Sequence, residues 1–180
     1  MEETAIERAL LYIEPGPVVL VTTFDGVKNN VMTISWTMAI DFAQRMVITT
    51  GEWNHSFKAL METGECVVCI PSASMIETVV RIGMVSGADA DKFAMFNLTP
   101  LPAKNVKAPL IGECIACLEC KVADYIEEYG FIVLQVVRVA ENPDCTDKRL
   151  VHARGDGTFV ADGETYNCRE LMLAKLPPGL

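Results

Sequence analysis

Positive charge is scarce in this sequence. Fifteen lysines and arginines stand against 24 aspartates and glutamates, giving a formal net charge of −9 over 180 residues and a pI near 4.7. A nucleic-acid binder needs a dense basic footprint, so no nucleic-acid partner is expected. A small anionic ligand remains open, provided that a local cationic site serves it. No apolar run approaches the length needed to cross a bilayer, which argues against a membrane protein. The N-terminus "MEETAIERALLYIEPG" is acidic and resembles neither a secretory nor a transit signal. A cytoplasmic protein is expected. Repeats, low-complexity stretches and domain-splitting linkers are missing, so residues 1–180 read as one domain. At 51% hydrophobic residues the chain can bury a substantial core.

Cysteine is abundant by comparison, with seven. An odd number without an export signal does not suggest a disulfide framework. "CVVC" and "CIACLEC" have metal-like spacing, but both lie in β-branched or apolar stretches that read as strands. Residues three apart on a strand face opposite sides of the sheet, whereas a metal site wants its pair in a tight knuckle. Buried reduced thiols acting as small hydrophobes fit better, and no metal is expected. Cys66 and Cys69 stay open as a redox pair if the strand ends there.

The periodicity predicts a short amphipathic helix over residues 3–13, with Ile6, Leu10 and Ile13 on one side, ended by "PGP". "VVLVTTF" is a strand, "DGVKN" a hairpin-type turn, residues 30–40 a second strand and "RMVITTG" a third. "NHSFKALMETG" predicts a helix from Asn54 to Gly64. "ECVVCIP" is a strand, "SMIETVVRIGMVSG" a helix, and "ADADKFAMF" a short helical turn. An irregular, proline-bearing connection leads to two long strands, "ECIACLECKVADYIEE" and "YGFIVLQVVRVAEN". A last short strand falls near 158–161 after "RGDG", where the RGD is a turn and His152 is exposed. The tail "LAKLPPGL" is exposed or docked on a partner. Six or seven strands with few helices imply a largely antiparallel sheet, simplest as a small Greek-key barrel with short peripheral helices. A doubly wound α/β fold would need a helix after nearly every strand.

Two stretches carry possible chemistry. In "ITTGEWNHSFKAL" a helix start offers free N–H groups and partial positive charge beside Thr49, Thr50, His55, Ser56 and Lys58. Gly51 permits close approach. This is either a phosphate cradle or an ordinary capped helix with Asn54 as the cap. Trp53 reads as a hydrophobic staple before that helix. In "NNVMTISWTMAI" the small or hydroxylated Val31, Thr33, Ser35 and Thr37 alternate with the large Met32, Ile34, Trp36 and Met38. One face suits a core and the other is polar but uncharged. The strand is expected to pair with the third strand and bring its hydroxyl face beside the cradle. A flat heteroaromatic ring suits that surface, with Trp36 or Met38 bracketing its plane. A solvent-facing strand with threonines serving β propensity is the alternative.

"GVKNNVMTISWTMAIDF", "VITTGEWNHSFKALMETGECVVCIP" and "SGADADKFAMFNLTP", in that order, resemble the flavin reductase-like proteins of the FMN-binding split-barrel fold, flavoredoxin-type members in particular. The resemblance covers roughly residues 15–140 and implies a mainly β split barrel. It implies that Met32, Thr33, Ile34, Ser35, Trp36 and Thr37 give backbone and hydroxyl contacts to the flavin ring and ribityl chain. It places Thr49, Thr50 and Gly51 along the ribityl and phosphate, and Asn54, His55 and Ser56 at the phosphate. Asp91, Lys92 and Phe93 return to the site, with Lys92 adding positive charge and Phe93 packing near the ring. Many members carry an arginine- or serine-rich phosphate segment where this chain has "GEWNHS". The resemblance further implies a homodimer with each flavin near the interface, and a possible redox partner protein.

No catalytic side chain is then required, because the flavin carries the chemistry. The expected function is an FMN-binding oxidoreductase that takes electrons from NAD(P)H or a protein donor and passes them to flavin, ferric iron or a redox partner. One alternative is a flavoredoxin-type carrier without direct use of NADH or NADPH. The lack of a GxGxxG fingerprint does not separate the two. The other is a non-catalytic ligand- or metal-binding barrel.

Overall fold

The computed structural model describes residues 1–176. Pro177–Leu180 of the predicted tail lie outside the described residues, while Leu171 and Leu173 just before them are exposed. Twelve strands are formed among the described residues: β1 Glu2–Thr4, β2 Val19–Phe24, β3 Asn29–Ile34, β4 Thr37–Ala39, β5 Arg45–Thr49, β6 Glu65–Ile70, β7 Pro100–Leu101, β8 Leu110–Ile111, β9 Ala116–Ile126, β10 Phe131–Glu141, β11 Val151–Ala153 and β12 Phe159–Ala161. Helices are short: α1 Ala9–Ile13, α2 Ser56–Thr63, α3 Ile76–Gly83, α4 Lys92–Met95 and α5 Arg169–Met172. None is long and apolar enough to cross a membrane.

The main sheet runs β3-β2-β6-β9-β10-β5-β4, with β1 added beside β10, and every pairing is antiparallel. The doubly wound alternative is thereby excluded. The two ends of this order, β3 and β4, are consecutive in sequence and separated only by Ser35 and Trp36. The predicted strand over 30–40 is therefore two strands. Its first half pairs with β2 and its second with β5, so the stretch joins opposite edges of a curled sheet. The expected pairing with the third strand holds for the second half alone. This is a split barrel: closure at one end is covalent rather than hydrogen-bonded.

Both faces of the sheet are covered. The inner face packs Val19, Val21, Met32, Ile34, Ile48, Val68, Leu118 and Leu134 into one core. The outer face packs Leu20, Val31, Val67, Val79, Ile82 and Phe93 into a second core beneath α3 and α4. Strands buried on both faces read as continuous apolar runs. Both "VVLV" and "CVVCI" are such runs, with β6 buried from Cys66 to Ile70.

The N-terminal helix is shorter than predicted. Glu2–Thr4 is extended on the edge of β10, Ile6–Arg8 is a 3-10 turn, and α1 follows. Long-range bonds override local helical periodicity here, since Glu3 accepts from Lys104 and Arg138. The proline-bearing connection is irregular apart from the small β7–β8 ladder. The "RGD" does lie in the turn between β11 and β12. His152, expected to be exposed, is instead half-buried, with Nε2 2.9 Å from Asp162 Oδ1. Residue 152 sits inside a strand pairing rather than before a loop, and that holds the ring.

Five cysteines are buried, Cys145 is half-buried and Cys168 is exposed. Cys66 sits opposite Cys120, and Cys69 opposite Cys117, across the β6–β9 ladder. Cys66 and Cys120 enter the inner core while Cys69 and Cys117 enter the outer one. Cys66 and Cys69 are thus on opposite faces and do not form a pair, as a three-residue spacing on a strand dictates. Burial pushes the Cys69, Cys117 and Cys120 thiols well above the ordinary range. Such thiols are poor nucleophiles.

Candidate functional site

The turn between β5 and α2 is built around one buried hydroxyl. Thr50 is fully buried, its N–H donates to Gly130 O at 3.1 Å, and its Oγ1 accepts from Asn54 Nδ2 at 3.0 Å. Asn54 therefore braces the turn instead of capping the helix. α2 begins at Ser56 with His55 at its N-cap, and no side chain caps it. The Phe57 N–H turns back to Asn54 O at 2.9 Å, and the helix start still presents partial positive charge. Ser56 Oγ is buried and accepts from Asn30 Nδ2 on β3 at 2.9 Å, which ties the helix start to the strand.

Trp53 does not act as a staple. Its ring lies over Gly51 so closely that a Cβ there would collide with it, and the indole is 71% exposed. A side chain at 51 would force the exposed indole to swing aside.

Lys92 comes from the first turn of α4, whose N-cap Asp91 accepts from Ala94 N. The lysine is only 5% exposed. Nζ donates to Val31 O at 2.9 Å and Ile82 O at 3.0 Å, and no carboxylate pairs with it among the described residues. Burial lowers its pKa below the ordinary lysine value. A buried ammonium held by two carbonyls is solvated but not neutralised, and it retains one N–H.

Lys92, Ser56, His55, Asn54, Asn30, Met32 and Thr33 line one cleft of about 200 Å³. Its outer wall is the segment Gly83–Gly87, where Met84, Val85 and Ser86 face in. Gly87 passes so near the Asn30 amide that a Cβ would strike it. Among the described residues no carboxylate lines this cleft. The lining combines a buried cation, a hydroxyl, side-chain amides and a helix start, a donor set suited to an anion.

The other predicted residues fall around the cleft. Ile34 is in the inner core and Phe93 in the outer core. Thr49 pairs in β5, its N–H donating to Trp36 O at 3.1 Å. Thr50 and Gly51 shape the turn from behind. Ser35 and Trp36 are exposed at the break between β3 and β4, with Trp36 68% exposed. The polar face is partly committed to the fold: Thr33 Oγ1 donates to Val79 O at 2.6 Å and Thr37 Oγ1 to Pro17 O at 3.2 Å. Both oxygens can still accept. Trp36 and Met38, expected on the core face as far as alternation goes, point outward because the strand breaks before them. Lys58 is exposed, pairs with Glu62 at 3.7 Å and does not line the cleft. Sequence reading missed Asn30 and the Gly83–Gly87 wall. The paired glycines of "GMVSG" were the available signal, since each permits a close approach.

The flavin reductase like domain matches residues 11–160. The chain belongs to the flavin reductase-like family. An uncharacterised protein of Archaeoglobus fulgidus is 31% identical over 145 residues, covering 75% of this chain and 82% of the relative. Among solved structures, an FMN-binding domain of a flavin reductases-like enzyme from Shewanella baltica superposes with TM-score 0.82 at 24% identity, covering 92% of this chain and 95% of that one. Flavoredoxin of Desulfovibrio vulgaris gives TM-score 0.77 at 24% identity, covering 84% and 89%. These likenesses establish the split-barrel fold of this flavin reductase-like chain.

Proposed function

We propose that this family member holds FMN and acts as an oxidoreductase, taking electrons from NADH, NADPH or a protein donor and passing them to flavin, ferric iron or a redox partner. The observation that carries this reading is Lys92, a buried cation without a counter-charge that opens on an anion-sized cleft. The donor set fits a phosphate monoester: Lys92 Nζ, Ser56 Oγ and the partial positive charge at the start of α2. The exposed indole of Trp36 and the Thr33, Ser35 and Thr37 hydroxyls lie further along the same chain segment, where a flat ring with N–H and C=O groups has partners.

When bound, the flavin supplies the hydride or electron chemistry. The chain's own residues bind and orient it. Lys92 and the α2 start hold the phosphate, Asn30 fixes Ser56, and Asn54 with Thr50 keeps the turn in shape. Met84 and Trp53 flank the cleft.

The site favours a homodimer. Met38, Ile40 and Phe42 are exposed alternate residues on and beyond the edge strand β4, and Trp36 leads into them. An exposed apolar edge is an aggregation risk unless a partner covers it. A second copy at this edge would bring both ring sites to the interface. Phe42→Glu should convert a dimer to a monomer in sedimentation velocity; a monomeric parent protein would remove the dimer proposal.

A flavoredoxin-type carrier without direct use of NADH or NADPH is the second reading, and it shares this fold. The test is an absorption spectrum of the purified protein before and after NADH or NADPH in the absence of oxygen. Bleaching of a yellow protein by either nucleotide establishes the reductase. A spectrum that yields only to dithionite establishes the carrier. Failure to take up added FMN would overturn both.

A further inference from the structure

The neighbouring strands β6 and β9 carry two cysteine pairs that face each other across one ladder, Cys66 with Cys120 and Cys69 with Cys117. The two pairs are not equivalent. Val122 N–H donates to Gly64 O at 2.8 Å, which makes that a hydrogen-bonded pair, and the register runs on from there to Cys69 without a shift. Hydrogen-bonded and non-hydrogen-bonded pairs alternate along an antiparallel ladder. Cys66–Cys120 therefore holds a hydrogen-bonded position and Cys69–Cys117 a non-hydrogen-bonded one. Side chains approach more closely at the second kind, nearer to the Cβ separation that a disulfide spans.

The sulfurs follow this difference. Cys117 Sγ lies 3.3 Å from Cys69 Sγ and 3.6 Å from Ile111 O. Cys120 Sγ donates to Leu118 O on its own strand at 3.4 Å, with Cys66 beside it. Cys114, fully buried, contacts Cys69 as well. Burial keeps the Cys69 and Cys117 thiols protonated, so they react slowly while the core is closed. Their cover is irregular. Val106, Ala108, Leu110 and Ile111, from the connection between β7 and β9, pack into the same outer core, and regular pairing there is limited to the short β7–β8 ladder. Such a segment opens locally more readily than the central strands, and its opening bares the Cys117 sulfur that Ile111 O touches.

We propose that Cys69 and Cys117 are a redox-active pair that closes reversibly into a cross-strand disulfide, with hydrogen peroxide as the oxidant. One thiol of the pair, deprotonated on opening, attacks a peroxide oxygen. An S–O bond forms, the O–O bond breaks, and the departing hydroxide takes the thiol proton and leaves as water. The second thiol attacks the sulfenic sulfur, so that S–S forms, S–O breaks and a second water leaves. The two thiols lose two electrons and two protons, and one peroxide becomes two waters. The link joins residues 48 positions apart and fastens β6 to β9, so it opposes unfolding while oxidant persists. Neither cysteine lines the anion cleft, and this property stands apart from the flavin reading.

The test treats the full chain, with the exposed Cys168 replaced by Cys168→Ser to prevent cross-linking between molecules, with hydrogen peroxide. The protein is then unfolded in an alkylating agent and digested without reductant for peptide mass mapping. Cys69 should be found joined to Cys117, with Cys66 and Cys120 alkylated, and dithiothreitol should reverse the link. The oxidised protein should unfold at a urea midpoint about 1–2 M above the reduced one. Cys117→Ser should show neither the link nor the shift, and a shift that persists there overturns the assignment. If Cys117→Ser does not fold, the mapping of the parent decides. Cys66 joined to Cys120, Cys69 joined to Cys114, or thiols that stay free or pass to sulfinic acid without a link would each overturn the proposal.

Discussion

Two buried charges in this molecule are treated in opposite ways. Glu119 on β9 is fully buried and completely paired: Arg138 forms an ion pair with it, and the amides of Lys104 and Asn105 donate to it. Arg138 and Lys104 both continue to Glu3 on β1, so one carboxylate pins an otherwise irregular loop and the N-terminal strand to the barrel. Lys92 is almost as buried, yet among the described residues it has only two backbone carbonyls. Burying a charge is tolerable when it is paired and hydrogen-bonded. A charge paired within the chain is structural. A charge solvated by dipoles alone, at the wall of a cleft, is open to a ligand of opposite sign, as proposed for Lys92.

That comparison can be broken by exchanging the two roles. Placing a carboxylate in the cradle by Ser56→Asp should supply Lys92 with an internal partner and repel phosphate. FMN retention through gel filtration should then be lost; an unchanged flavin content would remove the cradle. Glu119→Ala should be the most destabilising substitution in the set. It strands Arg138 and two amides, at a cost of about 3–5 kcal/mol, read as a lower urea midpoint, while FMN affinity of the folded protein stays the same.

Lys92→Met should show the reverse pattern. FMN binding weakens about 10- to 100-fold, the worth of a charge-assisted contact. Stability falls by no more than about 1–2 kcal/mol, since the desolvation of the cation is relieved as the carbonyl bonds are lost. A large stability loss without an effect on FMN would place Lys92 with Glu119 as a structural charge.

Proton linkage sharpens the same point. Burial depresses the folded pKa of Lys92 below the unfolded value of 10.5. Between those two values the unfolded chain binds more protons, so stability rises with pH in that window; below the folded pKa the burial cost is fully present. Urea unfolding of the flavin-free protein from neutral pH toward 10.5 should show this rise relative to Lys92→Met. Bound FMN should flatten it, because the phosphate favours the charged lysine. The smallest effect is expected for Trp36→Ala. It should alter the flavin absorption envelope and leave stability nearly unchanged, since the indole is exposed.

Much of this was written locally. Alternation and turn chemistry located β2, β5, β6, β9 and β10. The cysteine spacing on strands implied opposite faces, and the ladder register bears this out for Cys66 and Cys69. The segment from Thr49 to Ser56 declared itself by its hydroxyls, glycine and helix start. Where sequence reading failed, a distant partner was responsible. Residues 30–40 alternate without a flaw, and nothing local marks Ser35–Trp36 as the point where the chain leaves one sheet edge for the other. Glu2–Thr4 lies in a helical pattern, yet the free edge of β10 and the reach of Glu3 to Arg138 draw it into a strand.

The sequence by itself determined an antiparallel, acidic, two-faced sheet and the stretches that could meet a ligand. Periodicity and composition act over a few residues and are visible in any window. Tertiary structure decided which hydroxyls are committed to backbone carbonyls, that Lys92 is buried without a counter-charge, and that Asn30, Ser56 and Gly87 share one wall. Those facts depend on contacts between residues 26 to 61 positions apart, where burial and the local dielectric, rather than residue type, set what a side chain can do.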